Sequence, residues 1–169
     1  MEIRVLHNSD AASFQYLRLN ALSECPTAFS SSYEEECEIP LSRVAERLSP
    51  TPDRAVFGAL ADGSLIGIVG LQRESPRKLS HKAFIWGVYI APTHRKRGVG
   101  RSLLQATLDH AAGMPGLRQV TLSSNAANAA SIALYKALGF EPFGVEKGFL
   151  MVDDVLHDEI HMSRVIAKT

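Results

Sequence analysis

The fold is decided by residues 88–104, VYIAPTHRKRGVGRSLL, where a strand runs into a basic, glycine-bearing turn and then into a helix. Such a helix start presents unpaired backbone N–H groups and the positive end of the helix dipole. Gly98 and Gly100 let an anion approach those groups closely, so the turn predicts a pyrophosphate site. A solvated turn with helix-entry glycines is the alternative for a lone GxG. The stretch matches neither GxxxxGK[ST] nor the full dinucleotide fingerprint.

Strands and helices are predicted on both sides of this turn. Upstream, residues 2–6 form a strand, residues 11–23 and 40–48 form helices, and a short acidic helix lies between them. Asp62-Gly63 then joins two strands in a hairpin, because both central residues of the favoured turn need a positive φ. Downstream come a strand at 119–123, a helix at 128–138 and an antiparallel pair at 142–151 and 155–166. We therefore predict one α/β (α+β) domain over residues 1–169, with a mixed, mostly antiparallel sheet of about seven strands and about four helices.

Composition narrows the class of protein. The chain has 169 residues, of which 46% are hydrophobic, and 18 basic residues balance 18 acidic ones. This size supports a core without disulfides or a structural metal, and Cys25 and Cys37 lack metal-ligand spacing. No apolar run approaches the length of a membrane span, and the neutral net charge argues against a dedicated nucleic-acid binder. We expect a cytoplasmic protein with no metal, no membrane and no nucleic-acid partner.

Two segments resemble the GCN5-related N-acetyltransferase (GNAT) superfamily. Arg95-x-x-Gly98-x-Gly100, followed by a leucine-rich helix, is similar to its acetyl-CoA signature. Residues 128–140, NAASIALYKALGF, resemble its later Asn-x-x-Ala/Ser-x-x-Leu-Tyr-x-x-x-Gly-Phe segment. The order of elements follows the same superfamily across nearly the whole chain. The resemblance implies acetyl-CoA as co-substrate and a sheet whose central strands splay apart.

The resemblance also implies which residues hold acetyl-CoA. The backbone of the strand before the turn, residues 83–90, would pair with the pantetheine arm, as a peptide adds to a sheet edge. Asn128 would hydrogen-bond that arm, although Asn is also a favoured helix N-cap. The predicted cofactor-binding residues are Val88, Tyr89, Ile90, Arg95, Lys96, Arg97, Gly98, Val99, Gly100, Arg101, Asn128 and Tyr135.

Tyr135 is the predicted catalytic residue. Outside the motif, a half-buried tyrosine on a helix would be an ordinary packing residue. Within the motif it is a candidate general acid, or at least a hydrogen-bond donor to sulfur, since a phenol of pKa near 10 can protonate a departing thiolate. The backbone N–H of Ile90 is the candidate donor to the oxyanion that develops on the acetyl group.

The acceptor site is predicted from the loop between the first two helices, which forms one wall of it in such enzymes. Here that loop offers Phe29, Ser32, Tyr33 and the acidic cluster from Glu34 to Glu38, which includes Glu36, so an acidic wall suits a cationic acceptor. Many relatives carry a glutamate base on the strand before the turn, where this chain has residues 85–87, IWG. The base stays open between Glu34, Glu35, Glu36 and His81. His157, Glu159 and His161 share one face of the last strand, which we interpret as a polar surface rather than a metal site.

We expect an acetyl-CoA-dependent N-acetyltransferase in which a primary amine, on a small molecule or a protein, attacks directly in a ternary complex. An alternative is a non-catalytic acyl-CoA-binding sensor or interaction module on the same scaffold. A nucleic-acid-binding module is a third hypothesis, and it rests only on the basic turn. A homodimer is implied by the family alone.

Overall fold

A computed structural model describes residues 1–166 of the chain. Its strands are β1 (Glu2–Val5), β2 (Arg54–Ala61), β3 (Ser64–Arg73), β4 (Lys82–Ile90), β5 (Gln119–Asn125), β6 (Glu141–Val152) and β7 (Val155–Val165). Its helices are α1 (Ala11–Glu24), α2 (Tyr33–Cys37), α3 (Leu41–Leu48), α4 (Val99–Gly113) and α5 (Ala129–Ala137). The predicted fold class and the mixed sheet of seven strands are confirmed.

The strands form one sheet in the order β1-β2-β3-β4-β5-β7-β6. Only the central pair β4–β5 is parallel, and every other neighbouring pair is antiparallel. The connection from β4 to β5 therefore has to cross over, and it does so through α4. This crossover places the glycine-bearing turn at the end of β4, beside the only parallel junction between neighbouring strands in residues 1–166.

Residues with positive φ form the turns of two tight hairpins. Asp62 and Gly63 join β2 to β3 with φ angles of 50° and 76°. Asp153 and Asp154 join β6 to β7 with φ angles of 50° and 60°. Positive φ at both central positions matches the twist of the flanking strands, as predicted for Asp62-Gly63.

The two central strands pair at one end and separate at the other. Their register runs only from Lys82↔Gln119 to Phe84↔Thr121, although β4 continues to Ile90. Between Trp86 and Tyr89, β4 has one residue more than β3 opposite it, and Gly87 within this bulge has a φ of 65°. A bulge with glycine in this conformation bends its strand. We attribute the predicted opening of the sheet to this bend in β4.

Helices cover both faces of the sheet over separate hydrophobic clusters. On one face, α1 and α3 pack through Phe14, Leu17 and Val44 against the strands. On the other face, α4 packs through Leu103, Leu104 and Leu108, in a cluster that also contains Tyr135. The gap between β4 and β5 is therefore flanked by helices on both faces. None of the helices in residues 1–166 has the length and apolar character needed to span a membrane.

Candidate active site

A cavity of about 430 Å³ lies where β4 and β5 separate, on the α1 face of the sheet. The walls come from α1, the loop after it, both central strands, β6 and β7. Residues that define it are Arg18, Phe29, Trp86, Gly87, Glu159 and His161. Ile85 and Leu122 line the cavity and also belong to the hydrophobic cluster of Tyr135 on the opposite face. The gap between the strands thus lies between this cavity and the α4 side.

The basic, glycine-bearing turn at residues 95–100, which is the predicted pyrophosphate site and is called the anion turn below, leads into α4. Lys96 and Gly98 have φ angles of 59° and 79°, and Gly98 is the N-cap residue. The first bond of the helix runs from the Ser102 N–H to the Gly98 carbonyl at 3.0 Å. The N–H groups of Val99 and Gly100 therefore precede the helical ladder and remain available. A Cβ on Gly98 would have open space around it, so this backbone is accessible from outside.

Three basic side chains surround this turn. Lys96, Arg97 and Arg101 are exposed, and none of them forms an ion pair within residues 1–166. Available amides together with unpaired cations suit a di-anionic phosphate group. The backbone and charge of the turn thus fit the pyrophosphate of acetyl-CoA.

Arg95 is placed differently from the prediction. Its Nη1 and Nη2 donate to the two carboxylate oxygens of Glu24 at 2.8 and 3.0 Å, and its Nε donates to the Ile90 carbonyl at 2.8 Å. All three nitrogens of the guanidinium are engaged within the protein. The side chain of Arg95 therefore joins the end of α1 to the end of β4, and we withdraw its assignment to the pyrophosphate.

The end of β4 offers backbone groups to the gap. Ala91 N–H donates to the Ile66 carbonyl at 2.8 Å on the β3 side. Because successive N–H groups of a strand point to opposite edges, the Ile90 N–H points toward β5. Val88 and Ile90 also pack their side chains against the α4-side cluster. Tyr89 instead buries its side chain on the α1 face, where its hydroxyl donates to Glu24.

Asn128 has a structural role in this structure. Its side-chain oxygen accepts a hydrogen bond from the Ser131 N–H at 3.1 Å, which caps α5. Asn125, three residues earlier, donates from Nδ2 to the Thr27 carbonyl at 3.1 Å. This bond ties the end of β5 to the loop after α1, close to the cavity. The predicted contact of Asn128 with the cofactor arm stays a prediction.

Tyr135 lies in the core on the α4 side, with 5% of its surface exposed. Its ring packs edge-on against Phe140, with centroids 6.2 Å apart. Burial raises the pKa of Tyr135 to about 12, because an apolar environment disfavours the phenolate. The hydroxyl has no hydrogen-bond partner among residues 1–166. A protonated, unpartnered phenol is the state that a general acid needs.

Of the residues predicted for the acceptor wall, the structure places only Phe29 at the main cavity. Phe29 lines the cavity, where its ring stacks 4.8 Å from Cζ of Arg18. Ser32 is the N-cap of α2, and it exchanges capping hydrogen bonds with Glu35. Tyr33 is exposed and does not line the cavity.

Glu36 is not free for an acceptor. Its Oε1 is 3.2 Å from Arg18 Nη2 and its Oε2 is 3.0 Å from Arg47 Nη1, while its side chain is 6% exposed. Attraction to these two arginines lowers the pKa of Glu36 despite the opposing effect of burial. Glu36 lines a neighbouring cavity of about 310 Å³ instead. The structure therefore does not place Glu36 in an acidic acceptor wall, because helix packing turns its carboxylate onto the buried Arg18 and the half-buried Arg47.

The candidates for the base also change. Glu35 is used in the cap of α2, and His81 lines a separate surface cavity with Arg73 and Arg118. The carboxylate that does line the main cavity is Glu159 on β7. His161 lies beside it and is 3.1 Å from Glu146. Among residues 1–166, no three His, Cys, Asp or Glu side chains form a group that could hold a metal ion.

The sequence alone did not indicate that Arg18, Trp86 and Glu159 line the same cavity. Arg18 carried a signal, because it is a charged residue on the apolar face of α1. Glu159 lies on the side of β7 opposite to the buried Met162. Its position in the cavity depends on the pairing of β5 with β7, which the local sequence does not reveal.

The geometry defines a class of α/β domain whose sheet is opened between two parallel strands, with an anion turn at the end of one strand and a cavity on the other side. A family model described as the acetyltransferase (GNAT) family matches residues 19–140. The chain belongs to this family.

Individual relatives agree with this assignment. N-alpha-acetyltransferase RimI of Mycobacterium tuberculosis is 31% identical over 102 residues, which cover 60% of this chain and 61% of RimI. L-amino acid N-acetyltransferase AaaT of Escherichia coli is 26% identical over 120 residues, covering 71% and 74% of the two chains. The fold alone is shared with the structure of yncA from Salmonella typhimurium, a putative acetyltransferase with its cofactor acetyl-CoA, which has a TM-score of 0.82. It is 20% identical and covers 100% of this chain and 95% of that one.

Proposed function

We propose that this protein transfers the acetyl group of acetyl-CoA to a primary amine by direct attack in a ternary complex. The observation that carries the proposal is the opening between β4 and β5, which lies between the anion turn with its exposed cations and the cavity of about 430 Å³. These features accommodate a phosphate-bearing donor and a small acceptor at the same gap. Family membership supports the same reaction class.

The residues that would hold acetyl-CoA are those whose groups remain available. Lys96, Arg97 and Arg101, with the Val99 and Gly100 amides, would bind the pyrophosphate. The backbones of Val88 and Ile90 would face the pantetheine arm. When bound, acetyl-CoA supplies a thioester whose carbonyl carbon is electrophilic.

The proton balance sets what the protein must do. A C–N bond forms and the C–S bond breaks, so the ammonium of the acceptor loses two protons and the sulfur gains one. An amine of pKa near 10 is neutral in roughly one molecule per thousand at pH 7, so a carboxylate or water must take the first proton. Tyr135 would give its hydroxyl proton to the departing sulfur, and the second proton lost by the amine would restore it, so that one net proton passes to the carboxylate or water. The Ile90 N–H would stabilise negative charge on the acetyl oxygen.

Thermal unfolding with acetyl-CoA tests the binding step. At 100 times its Kd, a ligand stabilises the folded state by about 2.7 kcal/mol, so the Tm of the wild type should rise. Gly98→Asp should abolish most of this rise, because it places a carboxylate in the anion turn. Gly116→Asp is the matched control, since Gly116 has a similar φ of 73° and equally open surroundings but lies after α4.

Thiol release on adding a panel of primary amines tests the chemical step. Stabilisation by acetyl-CoA without thiol release for any amine would favour the non-catalytic acyl-CoA sensor. If acetyl-CoA does not stabilise the wild type, both the enzyme and the sensor are contradicted, and the nucleic-acid module remains.

We also propose a homodimer, as the family implies. Support comes from the edge strand β6, on which Val145 and Met151 are 54% and 68% exposed. Sedimentation equilibrium at increasing protein concentration should show a species of twice the mass of the 18.4 kDa chain. A single monomeric species at every concentration would contradict it.

A further inference from the structure

A buried positive charge lies in the wall of the main cavity. Arg18 is on the apolar face of α1, and its side chain is 5% exposed. Its Nε and Nη2 both donate to the same oxygen of Glu36, at 3.4 and 3.2 Å. The other oxygen of Glu36 accepts from Arg47. One carboxylate thus serves two arginines, of which Arg18 is buried and Arg47 is 30% exposed.

The remaining terminal nitrogen of Arg18 has no partner. Its Nη1 is buried and makes no hydrogen bond within residues 1–166. Because a guanidinium cannot release its proton in a protein, this nitrogen always presents donors. A buried charged side chain with unused donors is a feature that a polar ligand would satisfy.

The position of Gly87 places this nitrogen next to the cavity. A Cβ on Gly87 would lie 3.8 Å from Arg18 Nη1, and Gly87 lines the cavity. Gly87 carries no side chain at the bulge of β4, so this position places no side chain between Nη1 and the cavity. Arg18 is therefore a candidate to bind an anionic group in this cavity.

A carboxylate lies in another wall of the same cavity. Glu159 is 9% exposed, and it forms no ion pair or hydrogen bond through its side chain within residues 1–166. His161, its neighbour on the same face of β7, is already 3.1 Å from Glu146. Lys82 lines the cavity as well, at the end where β4 and β5 still pair. The cavity thus combines an unpaired guanidinium nitrogen, Arg18 Nη1 on α1, with the unpaired carboxylate of Glu159 on β7.

We propose that the acceptor is a free amino acid, a small amine that carries its own carboxylate. Arg18 donates from Nη1 to the acceptor carboxylate, and Glu159 receives the acceptor ammonium. A protein N-terminus has its first carboxyl group in a peptide bond, so it would offer no carboxylate to Arg18 Nη1. This inference rests on the proposed acetyl transfer and narrows its acceptor class.

Trp86 allows a direct binding test. It is the only tryptophan of the chain and it lines the cavity, so its fluorescence reports occupancy without turnover. The probes are glycine, L-alanine, L-methionine and L-phenylalanine, each beside its α-carboxamide. We expect at least one amino acid to give a saturable change, and its carboxamide to bind at least about tenfold more weakly, since a hydrogen bond between charged groups is lost.

Variants separate the two walls. Glu159→Gln should weaken binding of the free amino acid at least about tenfold, but should leave binding of its N-acetyl derivative, which has no ammonium, unchanged. Arg18→Gln should weaken both ligands. Arg18→Gln also removes a partner of Glu36, so the folding of this variant must be verified. If Arg18→Gln does not fold, Glu159→Gln still decides the test. Arg43→Gln, in an exposed ion pair on α3, is the matched control and should bind like the wild type.

The inference is overturned if no amino acid changes Trp86 emission, or if the carboxamides bind as well as the acids. Thiol release with carboxylate-free amines alone would overturn it while leaving acetyl transfer intact. If acetyl-CoA fails to bind, acetyl transfer is contradicted, whereas the Trp86 titration still decides what the cavity recognises.

Discussion

Glu24, at the end of α1, accepts hydrogen bonds from two residues at the predicted cofactor side. Tyr89 donates its hydroxyl to this carboxylate, and Arg95 binds both of its oxygens. These hydrogen bonds lower the pKa of Glu24, while burial and the contact with Glu24 raise the pKa of Tyr89. Glu24 therefore stays ionised and Tyr89 stays protonated. Through these contacts, the helix that lines the cavity is fixed to the strand that precedes the anion turn.

Tyr135 allows a prediction about the chemical step at the same scale. Tyr135→Phe keeps the ring packed against Phe140 but removes the acidic proton, so kcat should fall by about 100-fold. Binding of acetyl-CoA, measured by thermal shift, should be nearly unchanged. With a pKa of about 12, Tyr135 in the wild type stays protonated as the pH rises through 9, so it should cause no alkaline loss of activity there.

Tyr16→Phe is the matched control, because Tyr16 is 71% exposed on the outer side of α1. Unchanged turnover of Tyr135→Phe at every pH would show that the proton reaches the sulfur from another group.

At the scale of elements, β4 determines the site. Its first residues pair with β5, and the bulge at Gly87 bends the rest away, which exposes the backbone around Ile90 to the gap. The same bulge leaves Gly87 facing Arg18. Trp86, just before it, pairs across to Gly70 on β3, and its indole lies over the position that a side chain at Gly70 would occupy. One strand thus contributes to the cofactor side and to the acceptor cavity.

Gly70→Ala tests how β3 positions Trp86. The added Cβ would overlap the indole ring, so Trp86 must move, and overpacking of this kind costs about 1–3 kcal/mol. We expect altered Trp86 emission and a higher KM for the acceptor, with little change in the KM for acetyl-CoA. Gly144→Ala is the control, because a Cβ at this strand glycine meets no atom within 4 Å. Equal KM changes for both substrates would argue against a specific effect on the cavity.

At the scale of the whole molecule, the two faces of the sheet have separate tasks. The α4 face holds the anion turn and Tyr135, and the α1 face holds the cavity. Arg18, Glu36 and Arg47 join α1, α2 and α3 through one buried carboxylate. The wall of the cavity therefore depends on a network that spans three helices.

Glu36→Gln should destabilise the whole fold. Removing the only carboxylate between two arginines leaves buried positive charge uncompensated, which costs about 3 kcal/mol of unfolding free energy. Glu46→Gln makes the same change in an exposed pair with Arg43 and should cost less than about 1 kcal/mol. Urea denaturation of both variants measures the difference. Equal losses would show that the buried network adds no stability beyond a surface ion pair.

The order of elements, and the glycine-bearing turn between a strand and a helix, could be predicted from the sequence because both depend on neighbouring residues. Asp62-Gly63 and Gly98 have positive φ in turns that a few neighbouring residues form. Likewise, the alternating or helical spacing of apolar residues can be recognised without knowing which distant residues they contact. The motif around Tyr135 is equally local, because it lies within one helix, α5, and the turn that ends it.

Only the tertiary structure decided which charged groups remain free to bind a ligand. Glu36 and Arg95 seemed available in the sequence, but each is neutralised by a partner far away in the chain, Arg18 and Glu24 respectively. Glu159 seemed to be part of a polar surface, but β7 pairs with β5 and carries it into the cavity. Ion pairing depends on distances between elements, and these distances are set when the helices pack on the sheet.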